Sequence, residues 1–472
     1  MKLLISICLW IVIFFCLTGC NRLIQGAPAA APTGVAVARG DTSAIVSWDV
    51  VPGVQYFVYW DNGSNVSIAS CNSSPTCGAA AYVSSPFTIS GLVNGTQYSV
   101  TVNGRTEGAK GGPGSPAVSF VPIQAGLSNT WLPGNPNPVG TFDLLGLTYG
   151  TIYGSAGISL GSGYVSVGKN SSLYYGIIDG YGTLNWTAIA NPLPSTTLNG
   201  VANSGTIYVA VGSGGSILYS ANYAETWTRL AATTTTTTTA ATLPICAQFC
   251  DLNAVYSLNG FFIAAGQNGR IIYSSGGVNW TLQNSGTGYS TTGNTGYNFH
   301  SITYGNGVYV AVGDAGAILT STNAADWVPA TVSTPIPITD NLTGVTYGYV
   351  VSVSATTGVV TYKPTFVAVG AGGVLTGTFV GSALTWTPQT ISSSQLTAVT
   401  FGTRTGGNAT TQYTVAAEGQ FVAVDNTGNV FTSPDGVTWT SQSQTLGSLN
   451  AIASGLYDYT AVGAGGLNMH SM

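Results

Sequence analysis

Short runs of alternating hydrophobic and polar residues fill the chain from about residue 33 onward, each broken by Gly, Asn or Pro. Between residues 34 and 123 they read GVAVARGD, SAIVSWDVV, QYFVYWDN, FTISGL, TQYSVTVNGR and AVSFVPI. A period of two marks strands with one buried face, so this stretch predicts an antiparallel sandwich.

From about residue 140 the pattern recurs as whole units. LNAVYSLNGFFIAAGQNGRIIYSSGGVNWT (252–281) parallels FHSITYGNGVYVAVGDAGAILTSTNAADWV (299–328). Each unit predicts four strands. The second ends in AVG or a close variant, a tight Gly turn follows, and the fourth carries Trp. The turns begin at Gly168, Gly212, Gly266, Gly313, Gly370, Asp425 and Gly463. They are expected to be two-residue hairpins whose Gly and Asn supply positive φ. From turn start to Trp, the first six units count 18, 15, 14, 14, 16 and 14 residues.

The seventh turn runs into LNMHSM with no Trp, whereas GLSNTWLPGN (126–135) carries Trp131 ahead of the first complete unit. Trp131 is therefore expected to supply the seventh unit's fourth strand. The expected fold is all-β: a sandwich over 32–122, then a seven-bladed β-propeller over 126–472 closed by an N-terminal strand. Trp131, Trp186, Trp227, Trp280, Trp327, Trp386 and Trp439 would fill the widening gaps between blades, leaving Trp48 and Trp60 to the sandwich.

Composition sharpens this picture. Only 5% of residues are charged, which disfavours long helices with paired charges, while 44% are hydrophobic, which disfavours disorder. Lys2 and the apolar run Leu3–Leu17 have the anatomy of a signal peptide over residues 1–19. The run ends in Leu17-Thr18-Gly19-Cys20, which resembles a bacterial lipobox. The resemblance implies cleavage before Cys20 and a lipid on its thiol, and Asn21 after it implies the outer membrane. An uncleaved membrane anchor is the alternative. Residues 20–31 then form the lipidated Cys and a Pro/Ala linker.

Cleavage would leave four further cysteines, as the couples Cys71 with Cys77 and Cys246 with Cys250. Disulfides within each couple are expected in an oxidising compartment, with a zinc site as the alternative. Losing Lys2 from ten basic residues leaves nine against 15 acidic ones, and no basic run occurs. Nucleic-acid binding is therefore not expected. Neither a cofactor nor a metal is expected, since His300 and His470 show no ligand spacing.

Leu92-Val93-Asn94-Gly95-Thr96-Gln97-Tyr98 resembles the fibronectin type III signature, which implies a core Leu92 and a tyrosine corner at Tyr98. Ser433-Pro434-Asp435-Gly436-Val437-Thr438-Trp439 resembles the Asp-box of sialidase-type repeats, and SANYAETW (220–227) and STNAADW (321–327) are degenerate forms of it. With the FVAVG-type strands, residues 131–472 look like the bacterial propellers described as photosystem II assembly factor-like. That resemblance implies a fold and no activity. Arg229, Arg270 and Arg404 do not form a sialidase arginine triad, and no Asp pair stands out for glycoside hydrolysis.

The reading is an envelope-anchored binding, adhesion or scaffold lipoprotein whose propeller binds a protein or glycan without catalysis. An Asp-box-type glycoside hydrolase and a periplasmic assembly factor are the alternatives. Ligand contacts are expected at the turns between second and third strands: Lys169, Asn170, Gln267, Asn268, Asp314, Asp425 and Asn426. Asn and Asp are also simply good turn formers.

Overall fold

The computed structural model describes residues 30–471, apart from 41, 94, 107–110, 123–130, 135–141, 155–156, 180–182, 231–250, 284–296, 331–339, 354–359, 392–394, 405–417, 443–446 and 456–457. Cys20, Cys246 and Cys250 lie outside the described residues. The chain divides into two compact units between residues 124 and 125.

The first unit pairs two antiparallel sheets. One has the order β1 (Ala36–Gly40), β2 (Ser43–Ser47), β5 (Phe87–Ser90). The other has the order β4 (Gly78–Val83), β3 (Val54–Asn62), β6 (Tyr98–Thr106), β7 (Val118–Phe120). Alternation decides which face is buried: Val46, Trp48, Tyr56, Val58, Ile89, Val100, Val102 and Phe120 meet in one core. Leu92 joins that core, and the Tyr98 hydroxyl accepts the Val93 N–H at 3.1 Å. Cys71 and Cys77 form a disulfide, with Cα atoms 5.2 Å apart, before the start of β4.

The second unit is a succession of four-stranded antiparallel sheets that resembles a β-propeller, seven of them among the described residues. Their first strands begin at Leu144, Leu198, Leu252, Phe299, Leu342, Leu396 and Leu449. Six sheets take all four strands from consecutive sequence. The seventh takes its fourth from β8 (Trp131–Pro133), where Ser471 pairs with Trp131, His470 with Leu132 and Met469 with Pro133.

Packing between sheets repeats as regularly as the sheets do. Each sheet shares a hydrophobic cluster with the next, and the seventh shares one with the first, where Ala451, Ala453 and Val462 meet Leu144, Tyr164 and Trp186. One Trp joins each cluster: Trp227, Trp280, Trp327, Trp386, Trp439, Trp131 and Trp186. Trp131 is only 5% exposed. Such a large ring fills the space left where neighbouring sheets diverge.

One expectation about the units is corrected by the geometry. Four of the tryptophans precede the fourth strand instead of lying in it: Trp227, Trp280, Trp327 and Trp439 stand in the turn, where the indole N–H donates to the carbonyl three residues back. The short strands that follow, such as Thr228–Arg229, pair by only two residues. The Gly turns carry the positive φ expected of two-residue hairpins: in four sheets two successive left-handed residues, Gly214–Gly215, Asn268–Gly269, Ala315–Gly316 and Gly465–Gly466, are spanned by an N–H that donates to the carbonyl three residues back. The Gly that opens the turn has extended backbone. It is needed because a Cβ on Gly266 would stand 2.0 Å from the Asp251 carbonyl oxygen, and Gly168, Gly212, Gly313, Gly370 and Gly463 have the same clash.

Candidate ligand-facing end of the second unit

The first strand of every sheet carries a β-bulge against the second, which leaves one residue unmatched: Leu145, Asn199, Asn253, His300, Thr343, Thr397 and Asn450. A bulge re-aims the side chain of its extra residue. Here five of the seven reach the next sheet. Asn199 donates to the Leu252 carbonyl at 3.0 Å, Asn253 to Phe299 at 2.9 Å and Thr343 to Leu396 at 2.9 Å. Thr397 donates to Leu449 at 2.7 Å and Asn450 to Leu144 at 2.9 Å. The next residue along is always small, and a Cβ on Gly146 would lie 2.9 Å from Gly200 Cα, so its size sets how closely first strands approach.

The same end of each sheet holds the turn between second and third strands. The residue after the turn's opening position donates its N–H to the carbonyl just before the first strand. The pairs are Lys169 to Asp143, Ser213 to Thr197, Gln267 to Asp251, Asp314 to Asn298, Ala371 to Asn341, Asn426 to Gln395 and Ala464 to Ser448, at 2.9–3.2 Å. The backbone frame is thus the same seven times over. The side chains on it differ in every sheet.

The expected ligand residues all fall on this frame. Lys169 pairs with Asp143 at 2.7 Å and is 55% exposed. Asn170 is exposed and left-handed, at φ 51°. Gln267 donates to the Asp251 carboxylate at 3.3 Å. Asn268 is left-handed, and its N–H donates to Asn298 Oδ1. Asp314 binds His300 Nε2 at 2.6 Å and accepts from Asn298 Nδ2 at 2.7 Å. Asn426 is exposed on its turn. Asp425 is different: at 1% exposure its carboxylate serves its own turn, accepting from the N–H groups of Thr427 and Asn429 and from their side chains. The structure brings Lys169, Gln267 and Asp314 each against the residue preceding a first strand, in three different sheets.

Sequence reasoning missed those partners, Asp143, Asp251 and Asn298, and also Asn341 at the same position of another sheet. Their common signal is a polar residue immediately before each sheet's opening Leu or Phe. Asp251, Asn298 and Asn341 also accept from the first left-handed turn residue of the preceding sheet: Asp251 from Gly214 at 2.8 Å, Asn298 from Asn268 at 3.1 Å and Asn341 from Ala315 at 3.1 Å. Asp143 accepts from Gly465, which ties the first sheet to the seventh at 3.0 Å.

Electrostatics at this end follows from these contacts. The Lys169 ammonium, with the Gly465 N–H behind it, holds the Asp143 carboxyl below its ordinary value. Burial raises Asp425, but the hydrogen bonds from Asn429 and Thr427 outweigh it and the net shift is downward. Among the described residues no group of three or more His, Cys, Asp or Glu side chains is placed to hold a metal ion.

Residues 30–121 match the fibronectin type III domain family. No curated protein matches the chain. Among solved structures, the chain is similar to YCF48 bound to a D1 peptide, at 14% identity and a TM-score of 0.47, over 72% of this chain and 94% of that one. It is similar to YCF48 from Cyanidioschyzon merolae at 16% identity and a TM-score of 0.48, over 72% and 98%. It is also similar to the WD40 β-propeller domain of Doa1 at 9% identity and a TM-score of 0.46, over 72% and 97%.

Proposed function

We propose that the second unit is a closed seven-bladed propeller of the Asp-box type, latched by β8, and that it is a non-catalytic scaffold binding a protein or glycan. One Trp and one apolar cluster at every junction, the seventh-to-first included, support the ring. The fibronectin type III unit is a spacer behind a lipid anchor at Cys20, in the outer membrane. The lipobox resemblance supports the anchor, and Asn21 supports the membrane.

One observation carries the binding role. Seven equivalent backbone hydrogen bonds hold the turn end of the sheets, while the side-chain pairs on that frame read Lys/Asp, Ser/Thr, Gln/Asp, Asp/Asn, Ala/Asn, Asn/Gln and Ala/Ser. A frame held by backbone leaves side-chain identity free to be set by a ligand, which is how rigid scaffolds commonly present binding residues. The acidic members and the single Lys169 favour a polar partner.

The test is a photo-crosslinking amino acid placed at exposed Asn170 or Asn426, with Val380 at the opposite end as control. A discrete adduct in cells at 170 or 426, absent at 380, is expected. Adducts at 380 alone would put the binding surface elsewhere and overturn the reading.

A further inference from the structure

The first unit holds an arrangement that the sandwich does not require. Arg105, on β6, places its guanidinium carbon 4.6 Å from the centre of the Phe57 ring and 4.8 Å from that of Tyr82. Its Nε donates to Gln55 Oε1 at 3.2 Å, and its Nη2 donates to the Tyr82 hydroxyl. Two of the five guanidinium N–H groups are engaged in this way, which leaves three. Neither of the ion pairs seen among the described residues, Lys169–Asp143 and His300–Asp314, involves Arg105.

Tyr82 reaches this place through a local distortion. On β4, Ala81 pairs with Phe57 and Val83 with Tyr56, so Tyr82 is the extra residue of a bulge. It adopts φ 59°, a left-handed conformation that a bulky residue takes only against a steric cost. The bulge turns the ring toward Phe57, with centroids 5.2 Å apart, and leaves it 65% exposed. Gly would take this backbone without that cost. The start of β4 is fixed as well, since Gly78 lies so close to the Trp60 ring that any Cβ there would clash.

We propose that Phe57, Tyr82 and Arg105 form a binding site for a carboxylated sugar, such as a uronic acid residue of a polysaccharide. The free edge of the guanidinium offers two parallel donors that match a planar carboxylate. The exposed Tyr82 ring beside it offers the flat apolar face on which the C–H face of a pyranose rests. An acidic peptide side chain would use only the first of these features. The site lies in the first unit and does not depend on the reading of the second.

The experiment is calorimetric titration of the full-length protein with tetragalacturonate, its methyl ester and hexaglutamate. Tetragalacturonate is expected to bind, the ester at least about tenfold more weakly, because its carboxylates no longer match the guanidinium. Arg105→Gln should lose binding by a similar factor. Arg105→Lys, which keeps the charge but not the fork, should fall between. Tyr82→Gly separates binding from folding: it suits the left-handed backbone, so the melting temperature should hold while affinity drops several-fold. No binding of tetragalacturonate, equal binding of its ester or of hexaglutamate, or full affinity in Tyr82→Gly would each overturn the proposal.

Discussion

Asn450 Nδ2 donates to the Leu144 carbonyl at 2.9 Å across 306 residues of sequence. The same bond recurs between sheets whose first strands are neighbours in sequence, from Asn199, Asn253, Thr343 and Thr397. The seam between the seventh sheet and the first is therefore held by the device that holds four of the other six junctions. Asn450→Leu removes the donor while placing at 450 the residue type that already occupies the equivalent position at Leu145. Loss of one such bond with an acceptor left behind costs about 1–2 kcal/mol, read as a lower midpoint in urea unfolding. An unchanged midpoint would mean that the seam is held elsewhere.

Trp131→Ala should cost more, about 3–5 kcal/mol, because it empties a buried site lined by Val422, Val424, Tyr459 and Met469. The comparison is Trp48→Ala, which empties the core of the first unit. If the two units unfold separately, calorimetry should show each substitution lowering a different transition.

Two backbone positions test the turns with opposite signs. Ala315 has φ 52°, where a left-handed non-glycine residue is strained, so Ala315→Gly is expected to stabilise by about 1 kcal/mol. Gly266→Ala places a Cβ against the Asp251 carbonyl and should destabilise by about 1–3 kcal/mol as the strands are forced apart. Both are read by urea unfolding. A destabilised Ala315→Gly protein would contradict the left-handed turn.

Acid should weaken the second unit. In Asp435, burial raises the carboxyl, but the N–H groups of Thr438 and Val437 and the Ser433 hydroxyl outweigh it and hold it below the ordinary 3.8. Asp143 and Asp425 are also held low. A carboxyl depressed in the folded state binds protons less readily there than in the unfolded chain. Its stabilisation is complete above the ordinary carboxylate range and is lost as pH falls through the folded value, here from about pH 4 downward. Asp435→Asn should fold, because Asn222 and Asn323 make the equivalent turn contacts. The fall in urea midpoint between pH 6 and pH 2.5 should be smaller in that variant. An unchanged slope would show that the carboxylate does not carry the effect.

Cys20→Ser should abolish incorporation of labelled palmitate into the protein. Continued labelling would exclude Cys20 as the anchor.

Strands, turn positions and the four-strand unit are legible in the sequence because they depend on local terms: alternation with a period of two, Gly at tight approaches, and a Trp 14–18 residues after six of the seven turns. The reason for the Gly was not legible. Gly266 looks like a residue chosen for positive φ, yet its backbone is extended and the cause is a carbonyl 15 positions away in sequence. The tie from Asn253 to Phe299 was hidden for a similar reason, since bulge position and side-chain direction emerge only when two strands pair and the next sheet packs against them. Asp425 and Asn426 look alike as turn formers. Only the folded turn divides them, burying one carboxylate among four donors and leaving its neighbour exposed. Tyr82 and Arg105 lie on different strands and carry no shared pattern along the chain. A bulge that shifts register by one residue brings them together, and register is a property of paired strands, decided by tertiary structure.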